Sequence, residues 1–285
     1  MNVGRALVLA VALLAGPALA AVDVDALWNY ADPAASEARF RDALASASGD
    51  DALVLRTQIA RTLGLRGRFD DAHRELDAIE PALATAGVAP RVRAWLERGR
   101  TLRSSGKPLE GRPLFMRAYV TADAAGLEVL AADALHMLAL VEPVLDDRIA
   151  WNRRTVDYAR RASDPRAQGW QAAALNNIGG DLREAGRLED SLAAFREAQA
   201  AYERAGRPQS RFVARWQVAN VLRLLGRADE ALAMQTALER DTAAAGAPDP
   251  YVYEELALLQ AARGQADAAA LARRRAAELR DGRRP

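Results

Sequence analysis

The sequence predicts an all-α fold, a solenoid of antiparallel helix hairpins, and three observations carry that reading. Glycines recur at Gly67, Gly106, Gly186, Gly226 and Gly264, a step near 40 residues with one member absent near 146. A second series, Gly87, Gly126, Gly206 and Gly246, runs about 20 residues out of phase, with one member absent near 166. Small residues recur in register with both series. Glycine ends helices because it enters the left-handed region without a steric penalty. Two offset series of helix stops therefore predict helix, turn, helix, turn, repeated. A fixed period of this length is the mark of stacked helical repeats.

Residues 1–20 stand apart. They begin with Arg5 as the only charge, continue through an apolar stretch, break at Gly16-Pro17 and end in Ala18-Leu19-Ala20. This is the layout of a secretory signal peptide cut after Ala20. It is too short and too interrupted for a membrane span, which needs about 20 apolar residues. The reading places the mature chain in the periplasm or outside the cell. The abundance of alanine and arginine fits a G+C-rich bacterial coding sequence. Residues 21–50 hold a helix over 36–46, with Phe40 and Ala43 inward, which caps the array as a half-repeat.

Residues 51–281 divide into six repeats, near 53–90, 91–130, 131–170, 171–210, 211–249 and 250–281. With each member of the first glycine series set as position 15, position 8 holds Ala60, Gly99, Ala139, Gly179, Ala219 and Ala257. Position 20 holds Ala72, Gly111, Trp151, Ser191, Ala231 and Ala269. Small residues at both places let the two helices of a hairpin cross closely. Phe115, Phe195, Trp95 and Ile178 fill the space beside the crossing. The third repeat departs: Glu142-Pro143 ends its first helix early, Asp146-Asp147 and Asp164-Pro165 replace the glycines, and Trp151 sits where a small residue is expected. Aspartate and proline also form turns. A one-residue shift would put Ala150 in the small position; a break between two three-repeat domains is the alternative. In the last helix, near 266–280, Arg273 takes an otherwise apolar position, as suits a terminal repeat with no neighbour. Residues 282–285 form a tail.

The joint pattern of a bulky residue at 4, small at 8, large at 11, glycine at 15, small at 20, aromatic at 24 and alanine at 27 resembles the tetratricopeptide repeat. The clearest copies run through Trp95, Gly99, Phe115 and Ala118, and through Ile178, Gly179, Gly186, Phe195 and Ala198. The step of about 40 exceeds the family's 34, so longer helices or turns are expected. The resemblance implies a right-handed superhelix whose first helices line a concave groove.

Composition removes several function classes. There is no cysteine, hence no disulfide, thiolate metal site or cysteine nucleophile. After residue 20 the chain carries 38 basic and 38 acidic residues, because the leader holds one arginine and no acid. A nucleic-acid binder would carry a basic excess. His73 and His136 lie on different repeats without metal-ligand spacing. The stretch from Gly99 to Lys107 has the wrong spacing for a phosphate loop, and Pro108 stands where Ser or Thr belongs. Asp70-Asp71 and Asp146-Asp147 precede second helices, where they face the positive helix end. No catalytic residue, metal or cofactor is assigned.

Binding remains. The resemblance implies that positions 5, 9 and 12 of each first helix face the groove. These are Thr57 and Arg61; Leu96, Arg100 and Arg103; His136 and Leu140; Asn176, Gly180 and Arg183; and Trp216, Asn220 and Arg223. The candidate ligand-binding residues are thus Arg61, Arg100, Arg103, His136, Asn176, Arg183, Trp216, Asn220 and Arg223. Arginine forks suit carboxylates, and asparagine amides suit a peptide backbone. The expected function is a non-catalytic scaffold of the bacterial cell envelope. It captures a protein or peptide segment, acidic or with a free C-terminal carboxylate. The alternatives are self-assembly or a structural place in an envelope complex, and, behind these, a sensory input module or an enzyme.

Overall fold

The computed structural model describes residues 22–206 and 208–282, leaving aside the side chains of 208 and 209. The expected signal segment, 1–20, and the tail after Gly282 lie outside the described residues. Among those described, sixteen helices and no strand are present. Two lead in: α1 (Val24–Leu27) and α2 (Pro33–Leu44). Six hairpins follow. They are α3 (Gly49–Leu65) with α4 (Phe69–Asp77), then a short α5 (Glu80–Leu83); α6 (Val88–Ser104) with α7 (Pro108–Ala124); and α8 (Glu128–Val141) with α9 (Leu145–Arg161), then a short α10 (Pro165–Gln168). The rest are α11 (Trp170–Glu184) with α12 (Leu188–Arg204), α13 (Pro208–Leu224) with α14 (Ala228–Ala244), and α15 (Pro250–Ala262) with α16 (Ala266–Asp281). Apart from the short α5, each helix packs on its sequence neighbour, and each first helix on an adjacent hairpin. This is the all-helical solenoid the sequence predicts.

The step has a simple origin. Both α6 and α7 are 17 residues long, as are α12, α13 and α14, and three-residue turns join them. Two such helices and two such turns make 40 residues. Relative to a 34-residue repeat, each helix gains close to one turn.

The turns share one construction. Gly106 has φ +87°; its N–H bonds to Arg103 O at 3.2 Å, and Lys107 N–H reaches back to Leu102 O at 2.8 Å. The same pair of bonds closes the turns at Gly186 and Gly226, also at positive φ. This C-terminal motif satisfies the last carbonyls of the first helix and needs a residue tolerant of the left-handed region. Gly87 is an exception to the glycine reading. It has φ −60° and caps the start of α6, where its N–H donates to the Asp50 carboxylate at 3.1 and 3.2 Å. A Cβ there would lie 2.3 Å from Asp50 Oδ2. Gly87 is small because a carboxylate occupies its side.

Close helix crossing explains the small positions. A Cβ on Gly99 would lie 2.6 Å from the Phe115 ring, and one on Gly111 would lie 2.8 Å from Gly99 O. In the fourth hairpin, a Cβ on Gly179 would meet Phe195 at 2.7 Å, while Ser191 Oγ donates to Gly179 O at 2.6 Å. The bulky phenyl rings lie under the bare backbone of the facing helix and are fully buried.

The third hairpin corrects one expectation. Ala150 is exposed and Trp151 is buried, so no one-residue shift places Ala150 in the crossing. Trp151 joins the core of α6 to α9, and Ile149 and Val156 join that of α9 to α12. Helix α9 thus belongs to the cores on both sides, and the array is continuous there. Arg273 on α16 is exposed.

Candidate functional site

A cavity of about 1120 Å³ lies against the first helices α3, α6, α8 and α11. Its lining includes Gln58 and Arg61 of α3, Arg93 of α6, Asp133 of α8, and Trp170 and Ala173 of α11. Tyr202 of α12, Ser210 of α13 and two linking segments also contribute. Residues 22–32 bring Val24, Asp25, Trp28 and Tyr30, and the link from α9 through α10 brings Ser163, Asp164 and Arg166.

Local chemistry fixes both segments. Trp28 Nε1 donates to Gln58 Oε1 at 3.0 Å, and the indole packs edge-on against the buried Phe40. Tyr30 stacks flat on Trp28 with centroids 4.6 Å apart, and the Arg61 guanidinium stands 5.6 Å from each ring. Across the cavity, Glu128 accepts from Ser163 N at 2.9 Å, Ser163 Oγ at 3.0 Å and Asp164 N at 2.7 Å. Those bonds hold the Glu128 carboxyl below its ordinary value. Asp164 in turn caps α10, accepting from Arg166 N at 2.8 Å. Arg166 pairs with Asp164 at 2.7 Å and with Asp25 at 3.4 Å, tying α1 to α10 at the rim.

The nine candidate residues divide in two. Most form rungs between successive first helices. Arg61 pairs with Glu97 at 3.5 Å, Arg100 with Glu97 at 2.5 Å and also with Asp133. His136 lies against Trp170 with centroids 4.8 Å apart. Arg183 donates to Gln217 at 2.6 Å and Asn220 at 3.1 Å, and Asn220 and Arg223 donate to Glu255 at 3.1 and 2.5 Å. Trp216 Nε1 donates to Tyr251 O at 2.9 Å. Arg100, Arg183, Asn220 and Arg223 thus meet acceptors on the next first helix. Of the nine, only Arg61 lines the large cavity. Trp216 lines a smaller apolar cavity of about 280 Å³ between α13 and α15, with Phe212 and Val213. Arg103 is exposed, and the Asn176 Oδ1 is buried without a hydrogen bond among the described residues. Leu96, placed in the groove by position 5, is 1 % exposed and belongs to the core of α6 to α9.

Electrostatics follow from these contacts. Burial works against the charge on Asp133, yet Arg100 and Arg61 hold its carboxyl below the ordinary value. Burial also opposes Arg100, whose pKa is nonetheless raised by Asp133 and Glu97. His136 is driven by burial down to about 4 and is neutral at pH 7. Arg93 is lowered by burial, against the pull of Glu97 and Asp133. Sequence reasoning missed Arg93, Trp170, Trp28 and Tyr30. The lining comes from the N-terminal parts of α6, α8 and α11, where Arg93 and Asp133 both occupy position 2. Among the described residues, no cluster of three histidine, aspartate or glutamate side chains could hold a metal, and no helix is long and apolar enough to cross a membrane.

The cavity is lined mainly by first helices, with Tyr202 of α12, in a solenoid like those built from tetratricopeptide repeats. The sequence model of the tetratricopeptide repeat matches residues 170–237, which span α11, α12, α13 and part of α14. No curated protein matches the chain by sequence. Among solved structures, the apo form of RapI is similar with TM-score 0.72 and 10 % identity, covering 88 % of this chain and 71 % of that one. A Rap protein complexed with competence and sporulation factor gives 0.56 at 12 % identity, covering 87 % and 80 %. NprR in complex with its cognate peptide NprX gives 0.51 at 13 % identity, covering 90 % and 77 %. These likenesses are of fold.

Proposed function

We propose that this protein is a non-catalytic scaffold that captures a peptide segment in the cavity between α3, α6, α8 and α11. The observation that carries the reading is the cavity itself. At about 1120 Å³ it exceeds the ~300–1,000 Å³ usual for small-molecule sites. Its walls mix exposed aromatic faces with polar groups, as peptide recognition requires. Two proteins of similar fold, NprR with its cognate peptide NprX and a Rap protein with competence and sporulation factor, are seen in complexes, which supports the reading. The rungs between first helices keep the lining in place before a ligand arrives, which lowers the ordering cost of binding. The segment captured is acidic or ends in a free carboxylate.

The test is fluorescence anisotropy with a labelled random hexapeptide pool and two proteins, wild type and Trp170→Ala, both checked for helicity. Saturable binding weakened by the substitution is the expected result. Equal binding by both proteins would move the site elsewhere.

The same proposal places the protein in a bacterial cell envelope, on the strength of residues 1–20. Mass spectrometry of the protein recovered from its native cells would show a first residue of Ala21. A chain retaining Met1 contradicts this placement.

A further inference from the structure

We infer that Arg93, which lines the cavity, is the anchor for a carboxylate of the captured peptide. This assignment rests on the peptide-binding reading above. It moves the anionic subsite away from Arg183 and Arg223, whose donors already meet Gln217, Asn220 and Glu255.

Arg61, Arg93 and Asp133 line the cavity, and Arg100 and Glu97 pair with that set from outside the lining. Glu97 pairs with Arg61 and Arg100, and Asp133 with Arg100. Among the described residues, Arg93 makes no hydrogen bond or ion pair, although it lines the cavity. Arg93 is thus the guanidinium of the three left without an ion-pair partner, and it is half-buried. Arginine cannot shed its proton to relieve this. A carboxylate would accept two parallel N–H donors from the fork.

The rim has the opposite sign, with Asp25, Glu128 and Asp164. Those acids are already met by Arg166 and by backbone N–H groups. Asp25 and Arg166 are largely exposed, and exposed charges are screened by salt beyond about 8 Å at physiological ionic strength. The half-buried Arg93 charge is less screened and dominates at contact range. Trp170 and Tyr30 line the same cavity and would offer ring faces to the residues flanking the carboxylate.

The experiment uses fluorescein-labelled hexapeptide pools with Glu or Gln fixed at one position, each made with a free or an amidated C-terminus. They are titrated by anisotropy against wild type, Arg93→Gln, Arg93→Lys and Trp170→Ala, with helicity checked by circular dichroism. The expected result is that Arg93→Gln weakens the preferred acidic pool by roughly 10- to 100-fold, leaves the neutral amidated pool unchanged, and is partly rescued in Arg93→Lys. Loss on changing Glu to Gln assigns the anchor to a side-chain carboxylate; loss on amidation assigns it to the C-terminus. If Trp170→Ala weakens binding while Arg93→Gln leaves it intact, the cavity binds peptide and the Arg93 anchor is wrong. Binding indifferent to both changes, or no binding of any pool, overturns the peptide-binding reading as well.

Discussion

Arg223 Nε on α13 donates to Oε1 of Glu255 on α15 at 2.5 Å, and Glu255 is 3 % exposed. The same carboxylate takes an amide proton from Asn220. A residue read from sequence as a ligand contact is thus a joint between the fifth and sixth hairpins. Removing the carboxylate leaves two donors without an acceptor in a buried place. Glu255→Ala is therefore expected to destabilise the fold by about 3 kcal/mol, read as a lower urea midpoint. A variant as stable as wild type would show that the joint contributes nothing.

Two adjacent glycines on α11 should respond with opposite sign. A methyl on Gly179 enters the space of the Phe195 ring, whereas one on Gly180 meets nothing within 4 Å. Gly179→Ala is expected to cost about 1–3 kcal/mol by overpacking. Gly180→Ala is expected to stabilise by about 0.5–1 kcal/mol, since alanine loses less backbone entropy in a helix. Thermal unfolding of the two variants checks both signs, and a shift in one direction for both would contradict the crossing geometry.

Acid should weaken the array through His136. Its folded-state pKa is depressed to about 4, chiefly by burial, against an unfolded value of about 6.5. The unfolded chain therefore binds more protons between these values, and stability falls as pH drops from about 6.5 through about 4. Asp133, also depressed, acts in the same direction lower still. Urea unfolding at pH 7, 5.5 and 4.5 should lose stability in wild type and lose less in His136→Phe. Parallel pH profiles would remove His136 from the account.

The ion pair between Asp25 and Arg166 should contribute little to stability. Both side chains are about two-thirds exposed, at 67 % and 65 %, and 3.4 Å apart. Arg166→Ala is expected to change stability by under about 1 kcal/mol. A larger loss in urea unfolding would mean that the rim contact holds residues 22–32 in place, a role assigned here to Trp28 and its bond to Gln58.

The hairpins were legible because their grammar is local. Left-handed turns select glycine at Gly106, Gly186 and Gly226, and close crossings select Gly99, Gly179 and Ser191; both marks survive in one sequence. Gly87 shows the limit, since its smallness answers to Asp50, 37 residues away. The site was less legible for the same reason. Whether Arg183 faces a ligand or the next helix depends on Gln217 and Asn220 one repeat on, and their pairing emerges only on stacking. Glu97 and Glu255, both at position 6 of a first helix, were the available signal that the arginines have partners. The cavity owes its aromatic walls to Trp28 and Tyr30, before the repeats begin, and its rim to α10, an addition to the least regular repeat.

The central claim is that the cavity between α3, α6, α8 and α11 is the binding surface. A photo-crosslinking benzoylphenylalanine placed at Ala173, in the cavity, or at Leu271, exposed on α16, tests it directly. After irradiation with the labelled acidic hexapeptide pool, adducts are expected on the Ala173 variant and not on the Leu271 variant, with unlabelled pool suppressing them. Labelling at Leu271 equal to that at Ala173, or none at Ala173, would contradict the account.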